Sequence, residues 1–133
     1  MKKVWTIIKL WLPVIVWCGV IFYFSNTPDL KSNLPVWLDF IFRKIAHMAE
    51  FMVLFYLLAR AMCWKKKFLW LAVILSIFYA CTDEYHQQFV LGRHCSIRDV
   101  LIDTLGILIG YELLIRYRQK FSFVKLFKKT REC

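Results

Sequence analysis

The chain has 133 residues, 60% of them hydrophobic, and a formal net charge of +10. That apolar share exceeds the roughly 45–50% of soluble domains, and the length allows a single domain, so water is not expected to be its main solvent. The basic residues fall between apolar blocks rather than on one face, which argues against a nucleic-acid partner and for a membrane explanation.

Four apolar blocks follow one another, Val4–Phe24, Ile41–Met62, Phe68–Thr82 and Val100–Tyr117. A transmembrane helix needs about 20 mostly apolar residues; the first block meets this outright and the other three only by including charged positions. The pattern predicts an all-α integral membrane protein with four transmembrane helices over residues 1–118 and a basic cytoplasmic tail over 119–133. Of the 19 lysines and arginines, 14 lie in the N-terminal segment, around the 62–67 loop or in the tail. Only Lys31, Arg43, Lys44, Arg93 and Arg98 lie on the other side. The positive-inside rule therefore places both termini in the cytoplasm of a multi-pass protein.

In the first helix, Lys9 can snorkel to the inner headgroups beside Trp5 and Trp11, and Pro13 is expected to bend it modestly. Ser25–Asp39, with two prolines, reads as an outer loop with one interfacial turn. The second helix carries Arg43, Lys44, His47 and Glu50 in its outer half, and only Phe51–Ala59 is uninterrupted apolar sequence. At 1.5 Å per residue, Glu50 lies roughly 15 Å from Arg60, near mid-membrane. The third helix is expected to run from Phe68 through Asp83, Glu84, His86 and Gln87, followed by a Phe89–Arg98 loop that turns at Gly92. Asp99 is positioned to cap the fourth helix, where Asp103 lies one turn deeper and Gly106 and Gly110 form a small-xxx-small pair. In the tail, Phe123, Val124 and Phe127 can share a face opposite Lys125, Lys128 and Lys129, which fits an amphipathic interfacial helix as well as it fits a solvated basic tail. Five cysteines, mostly within or beside apolar spans, imply no disulfide framework.

Arg43, His47 and Glu50 recur at i, i+4 and i+7, on one helical face. A charge at mid-bilayer costs at least about 2.5–3.5 kcal/mol, so that face must turn inward to partners, and intramembrane ionisable groups mark a functional site by default. Partners at matching depth are Asp83, Glu84, His86, Gln87, Arg93, Asp99 and Asp103. The bland reading is mutual neutralisation, Arg43 and Lys44 with Asp99 and Asp103, and His47 with Glu50; buried ion pairs are weak stabilisers, which counts against that as their sole purpose. A metal site is weakly signalled, because the His-x-x-Glu order reverses that of di-iron bundles, and no metal or other cofactor is assigned. Arginines amid the cluster point instead to an anionic group such as a phosphate or carboxylate. In an acid–base reading, Glu50, His86, His47, Asp83 and Glu84 transfer or position protons, while Arg43, Lys44, Gln87, Arg93, Asp99 and Asp103 hold the ligand.

The segment Thr82–Gly110, TDEYHQQFVLGRHCSIRDVLIDTLGILIG, strongly resembles the signature of the VanZ-like family of bacterial membrane proteins. FYFSNTP, Phe22–Pro28, and RKIAHMAEF, Arg43–Phe51, resemble its first and second helices, so the likeness spans nearly everything but the tail. Two positions depart from the family pattern: Leu91 stands where proline is expected, and Asp103 where asparagine is common. The resemblance implies a bacterial cell-membrane location and a role in low-level resistance to the glycopeptide teicoplanin and its lipidated relatives; it implies no mechanism. Together these readings lead to an envelope protein that binds, or modifies, an anionic lipid or lipid-linked wall component at its outer face. The alternative is a structural or accessory subunit whose buried charges serve folding and partner assembly. A transporter would require oligomerisation, since four short helices enclose little space.

Overall fold

The computed structural model describes residues 2–27, 35–93 and 95–120. These form four helices, α1 (Lys2–Ser25), α2 (Val36–Ala61), α3 (Lys66–Gln87) and α4 (Ile97–Lys120), with no strand among the described residues. The expected amphipathic tail and most of the first outer loop lie outside the described residues.

With 22 to 26 residues each, the helices are about 33–39 Å long, enough for a hydrocarbon layer about 30 Å thick. Two of them, Lys3–Ser25 of α1 and Lys66–Gln87 of α3, are long and apolar enough on composition alone to cross a membrane. Charged residues keep α2 and α4 below that mark, and it is on those two helices that much of the site is built.

The helices alternate in direction. Arg93, after α3, donates from Nη2 to the Phe24 carbonyl near the end of α1 at 3.2 Å, and Lys44 near the start of α2 pairs with Asp99 at the start of α4. At the opposite end, Arg118 of α4 donates to the Trp64 carbonyl in the α2–α3 turn at 2.8 Å. Among the described residues α1 and α4 make no contact with each other; both pack on the central pair α2 and α3. Lys3, Arg60, Lys65, Lys66, Lys67 and Arg118 consequently gather at the end where α1 begins.

The apolar core fills the middle and that basic end. The Phe51–Ala59 stretch supplies Phe51, Leu54, Phe55, Leu58 and Ala59, all buried, against Leu69, Ala72 and Val73 of α3 and Ile107 and Leu114 of α4. Large apolar side chains also cover the outside, among them Ile15 and Tyr23 on α1, Ile45 on α2, Ile74 and Phe78 on α3 and Leu101 on α4. Such a surface is a liability in water and a match for lipid.

Gly106 sets the α2–α4 spacing. A Cβ there would stand 2.3 Å from the Met48 carbonyl oxygen, so only glycine lets the two backbones meet, as the small-xxx-small spacing predicted. The second half of that spacing is looser: a Cβ at Gly110 would meet the Met52 side chain at 2.8 Å, and a side chain can move. The α2–α3 turn is tight, with Cys63 and Trp64 both at φ 56°, a left-handed conformation rare for such residues. Burial of the Trp64 ring, its contact with Tyr56 at 4.8 Å and the Arg118 hydrogen bond hold it there.

Two expectations need correction. α2 starts at Val36, so Trp37–Asp39 are helical rather than loop, with Pro35 at the N-cap position, where its missing N–H is no loss. α4 starts at Ile97, and the amides of Asp99 and Val100 bond the Ser96 carbonyl, which makes Ser96 the N-terminal boundary. Asp99 lies inside the first turn and its carboxylate is engaged by Lys44 instead of capping. α1 runs through Pro13 as one helix.

Candidate functional site

A cleft of about 540 Å³ opens at the end opposite the basic cluster, between the end of α1, the first half of α2, the end of α3 and the start of α4. Helical rotation decides what enters it. On α2, Asp39, Arg43, His47 and Glu50 follow at steps of four, four and three, and all line the cleft. Lys44, a quarter turn away, reaches across its wall to Asp99 of α4. Asp83 and Gln87 of α3 share another such face, and Gln87 donates to Asp83 Oδ2 at 2.9 Å. Arg93 closes the site from the α3–α4 loop, beside Gly92 at φ 82°.

Of the residues expected to carry the site, Arg43, Lys44, His47, Glu50, Asp83, Gln87, Arg93 and Asp99 line this one space. Glu84 and His86 do not. Glu84 is 1% exposed and accepts the Ser96 amide at 3.1 Å, so it anchors the loop entering α4. His86 turns to α1 and stacks on Phe22 with ring centres 4.6 Å apart. Asp103 lies beneath the cleft: it is 1% exposed, neither carboxylate oxygen has a hydrogen-bond partner, and Oδ1 is 3.9 Å from His47 Nδ1. Glu50 Oε2 stands 3.9 Å from the same nitrogen, so His47 sits between two carboxylates.

The pairing differs from simple neutralisation across helices. Lys44 and Asp99 pair as expected, but Arg43 is bound by Asp39 four residues earlier on its own helix, with Nε donating to Oδ2 at 2.9 Å. Asp39 was missed because the start of α2 was; the i, i+4 spacing was available to find it. Two main-chain contacts also escaped the sequence. Trp17 of α1 donates from its indole to the Glu50 carbonyl at 3.0 Å, and the Tyr79 hydroxyl donates to the Cys18 carbonyl at 2.7 Å. They hold α1 against α2 and α3 just below the cleft.

Among the described cations that line the cleft, Arg93 is the one with spare capacity. Its Nη2 makes the one bond to Phe24, while its Nε is buried without a hydrogen-bond partner. No group of three or more His, Cys, Asp or Glu side chains arranged for a metal ion occurs among the described residues. Phe24 and Phe40 border the cleft and are 53% and 58% exposed, so its rim runs into the apolar exterior of α1 and α2.

An apolar-coated four-helix bundle with charges turned inward around an open cleft defines a small helical membrane protein. The family model described as VanZ/LLP1 matches residues 10–119, and the chain belongs to that family. No match was found among curated proteins or solved structures.

Proposed function

We propose that this protein spans the cell membrane four times with both termini in the cytoplasm, and that its cleft opens at the outer face to take the phosphate-bearing headgroup of a membrane lipid or lipid-linked wall component. The apolar exteriors of α2 and α4, with their charges directed into the bundle, support four spans despite their composition. The basic end supports the orientation. Residues 1–118 act as the membrane domain and 119–133 as a basic cytoplasmic tail.

One observation carries the ligand reading: Arg93 presents a buried, unpartnered Nε–H at a cleft whose rim is exposed aromatic surface. A guanidinium donor without an acceptor suits a phosphate oxygen, and the aromatic rim suits lipid tails. Family membership supports a role in low-level protection against teicoplanin and lipidated glycopeptides, by binding or modifying an anionic lipid or lipid-linked wall component.

Arg93→Gln tests this. It removes the cation facing Glu50 and Asp83 as well as the Phe24 bond, so Arg93→Lys, which keeps the charge without the Nε–H, is measured beside it and is expected to cost under about 1 kcal/mol. Membrane abundance should therefore hold while teicoplanin susceptibility rises to that of cells lacking the protein. Undiminished protection at normal abundance would refute the headgroup site. The structural-subunit reading draws on the Lys44–Asp99 pair, which ties α2 to α4; it would gain if substitutions at Glu50 and Arg93 alike lowered abundance before protection.

A further inference from the structure

The charges around the cleft do not suit a bare anion. Its lining holds three cationic side chains, Arg43, Lys44 and Arg93, and four carboxylates, Asp39, Glu50, Asp83 and Asp99. Two of the cations are committed, Arg43 to Asp39 and Lys44 to Asp99. What remains is Arg93 opposite Glu50 and Asp83, one formal positive charge against two negative, within electrostatic reach of one another. Asp103, beneath His47, adds a further carboxylate with both oxygens unpartnered. Buried and partly buried carboxylates in excess favour a positive group among them, because charge withdrawn from water without a partner is costly.

We propose that the cleft selects a phospholipid headgroup bearing a primary ammonium, with its phosphate on Arg93 and its ammonium between Glu50 and Asp83. This rests on the reading of the cleft as a phosphate-headgroup site and names the rest of the headgroup. The two ends of such a headgroup match the two kinds of lining. The phosphate supplies the acceptor that Arg93 Nε lacks, and an ammonium supplies three N–H donors to Glu50, which stands 3.9 Å from His47 Nδ1, and to Asp83, which also accepts from Gln87. The volume falls in the usual range for ligand sites, about 300–1,000 Å³. Phe24 and Phe40, exposed on the rim, give the acyl chains a path along α1 and α2 without leaving the bilayer, which favours a lipid over a soluble amine.

The test uses the full-length protein in phosphatidylglycerol nanodiscs doped in turn with phosphatidylethanolamine or phosphatidylcholine, with native mass spectrometry reading which lipid stays bound. Phosphatidylethanolamine is expected to be retained about tenfold over both others, the difference made by one charge-assisted hydrogen bond. Asp83→Asn and Glu50→Gln, each checked for folding by circular dichroism, should lose that preference yet still hold phosphatidylglycerol. Arg93→Gln should release all three. Equal retention of phosphatidylethanolamine and phosphatidylglycerol would overturn the ammonium assignment and leave the phosphate site standing. Equal retention of phosphatidylcholine, which carries the charge without N–H donors, would overturn the pairing with Glu50 and Asp83. Displacement of the bound lipid by soluble glycerophosphoethanolamine at matched concentration would overturn the lipid as the source. Retention of none would remove the headgroup site itself, and this assignment with it.

Discussion

The two sides of α2 treat the same kind of residue differently. Toward α4, Lys44 closes on Asp99 at the wall of the cleft and Met48 abuts Gly106 backbone to backbone, forming a close seam. Toward α1, Arg43, His47 and Glu50 face an open cleft whose far wall is held by a few side-chain bonds to main-chain carbonyls. Charge alone therefore does not mark function in this bundle. What separates a structural charge from an available one is whether an opposite charge stands within bonding reach, as Asp99 does for Lys44 and Asp39 for Arg43.

The comparison breaks most readily at Gly106. Gly106→Ala puts a methyl group against the Met48 carbonyl, which only helix separation can relieve, and is expected to cost about 3 kcal/mol, at the upper end for overpacking. Thermal unfolding in detergent would measure it, and a shift no larger than that of Gly110→Ala would show that the seam is not tight. Next comes Lys44→Ala, which leaves Asp99 without its partner. Because both side chains retain some exposure, 20% and 24%, about 2 kcal/mol is expected rather than the 3–5 kcal/mol of a fully buried pair. Lys44→Met with Asp99→Leu should recover most of that, and failure to recover it would mean that the pair serves more than register.

Asp103→Asn sharpens the boundary between seam and cleft. The carboxylate is enclosed without a hydrogen-bond donor, so the isosteric amide should hold stability within about 0.5 kcal/mol or raise it. A loss above 2 kcal/mol would show that His47 depends on the charge. Gly19→Ala is the smallest: nothing lies within 4 Å of its Cβ position, and the change should stay within about 0.5 kcal/mol.

Helical periodicity made much of this legible. Four helices, the apolar Phe51–Ala59 core and the role of Gly106 follow from spacing, and so does the shared face of Arg43, His47 and Glu50. Periodicity gives a face but not what it meets. Asp83, Glu84, His86 and Gln87 lie within five residues, yet a 100° step sends Glu84 to the loop before α4 and His86 to Phe22, leaving Asp83 and Gln87 in the cleft. Reading that fan required knowing which helix stands on which side of α3. Likewise composition reads Asp39 as loop and leaves Arg43 to the distant aspartates, although Pro35 gives the start of the helix that puts the two one turn apart.

The Lys44–Asp99 pair also sets an order of assembly. Its members are 55 positions apart in the chain, and ribosomes add about 5–20 residues per second, so in the four-span arrangement the second helix waits about 3–11 s for its counter-charge. During that interval α1 is apolar enough to enter lipid alone, whereas α2 is not. In that arrangement release of α2 from the insertion machinery is expected to await α4, and a ribosome halted before Asp99 leaves three helices with Lys44 unpaired.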